Sequence, residues 1–158
     1  MEKKLFLKRN YNVNAAVGFF LSILLTLINQ FNLSLETAFL QNDPAKLHQL
    51  LPDRTPVLIT LPEPFQVSDC YSDQQSFLLL KKLFVKINTL EFLIDPEGQP
   101  VIGEKGAITQ ARWSFIDKSD GRKYLFRVYF YIFPENSNRQ EPLKPLKIKI
   151  KEIRAEKR

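Results

Sequence analysis

Every second residue from Tyr124 to Ile132 is a large hydrophobe: Tyr124, Phe126, Val128, Phe130 and Ile132 alternate with Leu125, Arg127, Tyr129 and Tyr131. A period of two over this length, in aromatic and β-branched residues, predicts a strand with one buried face. Leu146, Ile148 and Ile150 alternate with Lys147, Lys149 and Lys151 in the same way, which predicts a last strand whose lysines face solvent. Further strands are expected over Thr89 to Ile94 and Ala107 to Ile116. Asp120-Gly121, between Phe115 and Tyr124, predicts a type I′ hairpin turn, because Asp-Gly accepts the positive φ angles such a turn demands.

Between these runs the period changes to that of a helix. Ser72-Asp73-Gln74-Gln75 has the spacing of a capping box and opens a helix whose stripe is Phe77, Leu80, Leu83, Phe84 and Ile87. Leu78, Leu79 and Val85 widen that stripe and predict a second helix beside it. Upstream, Ser34 is the expected N-cap of a helix carrying Leu35, Ala38 and Phe39. Asp43-Pro44 then restarts the chain as a short helix presenting Leu47, Leu50 and Leu51. Val57 to Leu61 is a short apolar run between prolines and reads as an edge strand. Pro134 to Pro145 reads as a polar, mobile loop, and Gly103 to Gly106 as a flexible connection. The order is helix, helix, strand, helix, then four antiparallel strands. That is an α+β fold, a curved antiparallel sheet with helices packed on its concave face.

The N-terminus changes the picture of where this domain works. A basic head holding Lys3, Lys4, Lys8 and Arg9 precedes the uncharged run Ala15 to Ile28. Fourteen apolar residues suit a signal peptide better than a bilayer span of about 20. The exit, Asn29 to Ser34, offers no small-x-small cleavage site, so an uncleaved anchor and a first core helix stay open beside it. The chain divides on this reading into a signal peptide or membrane anchor over 1–33 and a cone-like domain over 34–158. It is expected to be exported across the cytoplasmic membrane and to touch the membrane through the N-terminal segment alone.

The net charge of +6 invites a nucleic-acid reading that its distribution removes. Residues 1–10 carry +3 and residues 141–158 carry +4, leaving the intervening 130 at −1. A phosphate-binding surface needs its basic residues clustered on the folded body, so no nucleic-acid partner is expected. The single cysteine, Cys70, excludes an internal disulfide.

With Tyr71-Ser72-Asp73-Gln74-Gln75 opening the long helix, Arg127-Val128-Tyr129-Phe130-Tyr131 on a strand and Ile150 to Arg154 closing the chain, the sequence resembles the nuclear-transport-factor-2-like (cystatin-like cone) superfamily, in particular small exported bacterial members of unknown function. The likeness covers about residues 34–155. It implies a conical half-barrel with a pocket between sheet and helices, and frequently a homodimer.

Enzymes of that fold place acid and base groups inside the cone, and few candidates exist here. His48, the only histidine, has no carboxylate partner at helical spacing and reads as a surface residue. Cys70 reads as an unremarkable loop thiol. One His and one Cys supply no three-ligand metal site of the usual kind, and no cofactor, metal or catalytic residue is assigned. Arg127, Tyr129 and Tyr131 share the sheet face opposite Phe126 and Phe130. Arginine and tyrosine together are enriched at interfaces, so these three are the candidate interface. The leading reading is an exported, non-enzymatic binding or interaction domain with a small apolar ligand or a protein partner, and a homodimer is expected. The alternative is a small isomerase or dehydratase with acid and base groups inside the cone.

Overall fold

The computed structural model describes residues 2–95, 101–103, 106–135 and 147–158, with side chains at 18–19, 22–95, 106–135 and 147–158. The elements are α1 (Glu2–Leu40), α2 (Pro44–Gln49), β1 (Val57–Leu61), β2 (Val67–Tyr71), α3 (Asp73–Lys86), β3 (Ile87–Ile94), β4 (Val101–Gly103), β5 (Gly106–Asp117), β6 (Lys123–Glu135) and β7 (Lys147–Lys157). Among the described residues the strands form one seven-stranded sheet of order β2-β1-β7-β6-β5-β3, with β4 also paired to β5. The expected α+β class holds. Every pairing is antiparallel except β1 on β7, which run parallel.

Local signals predict several ends correctly. Asp43 caps α2 by accepting from the Ala45 and Lys46 amides, with Pro44 in the first turn. The Gln75 side chain reaches back to accept from the Ser72 amide at 3.0 Å, as a capping box requires. Ser34 is a correction: α1 runs through it without a break, and its hydroxyl donates to the Gln30 carbonyl one turn back. The helix is sustained there by an uninterrupted apolar face, so no cap is needed.

Four other expectations change. The Val57–Leu61 run is not at the edge, because the segment after it, which shows no clear period, forms β2 and covers it. The Asp117-to-Arg122 connection is a longer loop than a type I′ turn. Gly121 alone there has positive φ, and the loop closes through Asp117 N–H to Arg122 carbonyl and Gly121 N–H to Asp117 carbonyl hydrogen bonds. Gly103 and Gly106 pair across the β4–β5 hairpin. Leu78 and Val85 are exposed, with no helix over them among the described residues, and Ile87 begins a strand rather than ending a helix. The loop Pro134 to Pro145 lies almost wholly outside the described residues.

The helices cover one face of the sheet. From α1 come Phe31, Leu35, Ala38 and Phe39, from α2 Leu47, and from α3 Leu80, Leu83 and Phe84. All are buried with Phe92, Trp113, Phe115, Phe126, Val128, Phe130 and Ile153 of the strands in one cluster. The period-two reading of β6 is observed directly, as Tyr124, Phe126, Val128, Phe130 and Ile132 all point into it. Irregularities in register at Thr89/Glu91 and Tyr131/Ile132 are points where strands bend.

Candidate functional site

In a fold of this shape the first place for chemistry is the space between sheet and helices. Here that space is filled by rings. Phe39, at the end of α1, stacks on Phe92 at 4.2 Å and meets Trp113 edge-on at 5.0 Å, with Phe84 and Phe130 at 5.6 and 5.8 Å. From the loop between β1 and β2, Phe65 lies over Phe115 at 5.2 Å and Trp113 at 5.9 Å, closing the group from the other side.

The polar groups inside are engaged with each other. Asn42, held at φ 47, accepts from the Thr89 hydroxyl at 2.7 Å, and that oxygen accepts in turn from the Trp113 indole N–H at 3.1 Å. Such a triad fixes the α1–α2 corner on β3 and β5. Among the described residues two buried side-chain atoms have no hydrogen-bond partner, Asn32 Oδ1 on α1 and the hydroxyl of Tyr124. The Tyr124 ring is buried, and Arg122 and Lys157 lie over it at 5.8 and 5.1 Å. Burial pushes this phenol above the usual tyrosine range, with the nearby Arg122 guanidinium opposing.

The opposite face of the sheet carries no helix among the described residues. Arg127, Tyr129 and Tyr131 project from it side by side, each half-buried. The register sets Tyr131 between Ile108 and Glu152, Tyr129 between Gln110 and Arg154, and Arg127 between Arg112 and Glu156. Strand alternation thus brings the three candidate residues together in a row framed by mixed charge. The Tyr129 hydroxyl donates to Glu156 at 3.4 Å, and Arg154 lies 3.5 Å from the same carboxylate group. Rigid amphipathic rings beside paired charges are suited to contact with another protein surface.

Two polar arrangements at the periphery escape sequence reasoning. His48 does have a carboxylate partner, because α2 packs on the start of α3. Its Nε2 lies 2.8 Å from Asp73 Oδ1 and 3.1 Å from the Asp73 carbonyl, with Phe77 against the ring at 5.2 Å. A shallow cavity of about 470 Å³ opens there, bounded also by Gln74 and Leu78.

Lys149 is the second case, and it corrects the expectation of a solvent-facing lysine row. It pairs with Phe133 of β6, and the end of α2 and the segment after it close over it, leaving it 7% exposed. Its ammonium donates to the Gln49 carbonyl at 2.9 Å and the Leu51 carbonyl at 3.0 Å, with Asp53 at 3.4 Å. It thereby serves the carbonyls that the end of α2 leaves unpaired. An open cavity of about 520 Å³ adjoins it, lined from α1 by Leu27, Gln30, Phe31 and Ser34. Neither pair has a local signal, since the partners stand 25 and about 100 residues apart. Cys70 is exposed on β2. Among the described residues, no group of three or more His, Cys, Asp or Glu is placed to hold a metal ion.

No protein-family model and no curated protein sequence matches the chain. Solved structures do. An NTF2-like protein of unknown function in nutrient uptake from Rhodospirillum rubrum aligns with a TM-score of 0.55 and 13% identity, over 83% of this chain and 98% of that one. A protein from Rhodopseudomonas palustris named "putative isomerase" aligns with a TM-score of 0.52 and 14% identity, over 81% of this chain and 86% of that one. At such identities the likeness is one of fold, and the fold it gives agrees with the helix-covered, bent sheet described above: the chain has the NTF2-like fold.

Proposed function

We propose that this protein is a non-enzymatic interaction domain working outside the cytoplasmic membrane. Its outer sheet face, centred on Arg127, Tyr129 and Tyr131, takes another protein surface, in the first instance a second copy of itself. The observation that carries this reading is the aromatic filling of the cone. Phe39 and Phe65 occupy from two sides the volume a substrate would need, and the Asn42–Thr89–Trp113 hydrogen bonds consume the polar groups a reaction would use. Support for the location comes from the apolar N-terminal helix behind a basic head. The face is self-complementary in kind, with arginines and glutamates in adjacent rows around two tyrosines, as a two-fold contact requires.

The test is sedimentation of the detergent-solubilised chain beside the variant Tyr129→Ser/Tyr131→Ser. A dimer that the double substitution weakens about tenfold or more, with the Trp113 emission unchanged, is the expected result. A wild-type chain monomeric at high concentration removes the self-association. The enzyme alternative is favoured by the unpartnered Tyr124 hydroxyl and by the name of the Rhodopseudomonas palustris neighbour. It predicts that Tyr124→Phe abolishes a turnover that Tyr129→Ser/Tyr131→Ser leaves intact.

A further inference from the structure

Helix α1 changes environment along its length. From Phe31 onward it belongs to the domain: Phe31, Leu35, Ala38 and Phe39 are in the core cluster. Upstream, Ile28 is still buried and Leu24 and Leu27 are half-buried, but the other described side chains back to Gly18 are exposed. Phe19 is 70% exposed, Ile23 43% and Leu25 54%, and no side chain from Ser22 to Leu27 is buried. At 100° per residue these six positions sample every direction around the axis, so the helix is bare over most of its circumference, with only Leu24 and Leu27 half-buried on the side that leads to Ile28 and Phe31.

A bare apolar helix of this kind is costly in water and is at home in hydrocarbon. The window Ser22–Leu40 is long and apolar enough to cross a membrane, but its second half is already used by the core. The usable segment lies upstream. No charged residue occurs between Arg9 and Glu36, and Asn10 to Ile28 is a 19-residue stretch. At about 1.5 Å per residue it covers about 28 Å, close to the hydrocarbon thickness of about 30 Å. Lys3, Lys4, Lys8 and Arg9 flank it on the side that faces an anionic cytoplasmic leaflet.

We infer that α1 is an uncleaved membrane anchor that continues as a single helix from the lipid into the core of the domain. A cut within Asn29–Ser34 would remove the buried Ile28 and, past Phe31, a member of the core cluster, and that stretch contains no small-x-small site. No linker intervenes, so the domain stands directly on the outer headgroup layer, with its orientation set by the helix. The cavity lined by Leu27, Gln30, Lys147 and Lys149 then lies at headgroup depth.

This deepens the export reading, and the test separates the two. The full chain, expressed in bacterial cells, is fractionated, washed with alkaline carbonate and weighed intact. The expected result is a carbonate-resistant membrane protein at the full mass of 18.5 kDa, allowing for loss of the initiator methionine. Ile23→Lys with Leu25→Lys, at positions outside the core, should raise the carbonate-soluble fraction about tenfold or more. Trp113 emission checks that this variant still folds. A wild-type chain released by carbonate, or one shortened by a cut between residues 18 and 34, overturns the inference. Protease added outside intact spheroplasts reports the side of the domain independently. A full-length, carbonate-resistant chain with a protected domain upholds the anchor and refutes export.

Discussion

Phe39→Ala is the substitution on which most of the packing account depends. The ring is buried in the last turn of α1 and meets four others, from α3, β3, β5 and β6. Truncating a buried phenylalanine to alanine costs about 3–5 kcal/mol through lost transfer energy and the cavity left behind. Oriented aromatic pairs add roughly 0.5–1.5 kcal/mol each beyond area, which places this site at the upper end, about 4–5 kcal/mol. A domain of this size is stable by about 5–15 kcal/mol, and each kcal/mol shifts the thermal midpoint by about 2–4 °C. The variant should therefore melt about 10–20 °C lower. Urea unfolding of the detergent-solubilised chain followed by tryptophan emission is the assay. Trp113 is the only tryptophan and lies edge-on to Phe39 at 5.0 Å, so its emission should also shift. Phe19→Ala, at an exposed position of the same helix, is the control and should change stability by less than about 0.5 kcal/mol. A Phe39→Ala loss below about 1 kcal/mol, or an equal loss from both variants, would refute the assignment of this turn of α1 to the core.

Gly106→Ala should cost about 2 kcal/mol or more in the same assay. Gly106 sits at φ +130, a conformation side chains rarely adopt, and a Cβ there would overlap the Ile132 carbonyl oxygen. Tyr124 should ionise above the usual tyrosine range when absorbance is followed through an alkaline titration. Because its folded-state pKa is raised, its contribution to stability is complete below the unfolded value near 10 and declines as pH rises through the folded one. Tyr124→Phe should flatten that alkaline loss, and an unchanged profile would remove burial as its cause.

What could be read without coordinates was what neighbouring residues decide among themselves. The alternation of β6, the Asp43 cap and the Ser72–Gln75 box are all short-range patterns, and each appears as expected. The candidate interface belongs with them, since Arg127, Tyr129 and Tyr131 share a face through strand geometry alone. Long-range placement escaped. Lys149 is buried because the end of α2 and the segment after it, about 100 residues earlier, close over it, and no pattern within Lys147–Lys151 announces that. His48 meets Asp73 only because α2 packs on α3. The filling of the cone by Phe39 and Phe65 is a property of volume, which period and propensity do not encode. The expected helix start at Ser34 fails for the opposite reason, since one unbroken apolar run serves two surroundings and no residue marks the change.

The parallel pairing of β1 with β7 imposes an order of assembly. Leu58 lies beside Glu152 and Thr60 beside Arg154, while Lys149 reaches carbonyls 98 and 100 positions earlier in the chain. The strand that joins β1 and β2 to the rest of the sheet is thus made only after α3 and β3 to β6. Contacts of such sequence separation carry a large loop-closure cost before they return anything, and chains dominated by them fold slowly. A nascent polypeptide of this topology leaves β1 and β2 apart from the rest of the sheet until β7 has been made.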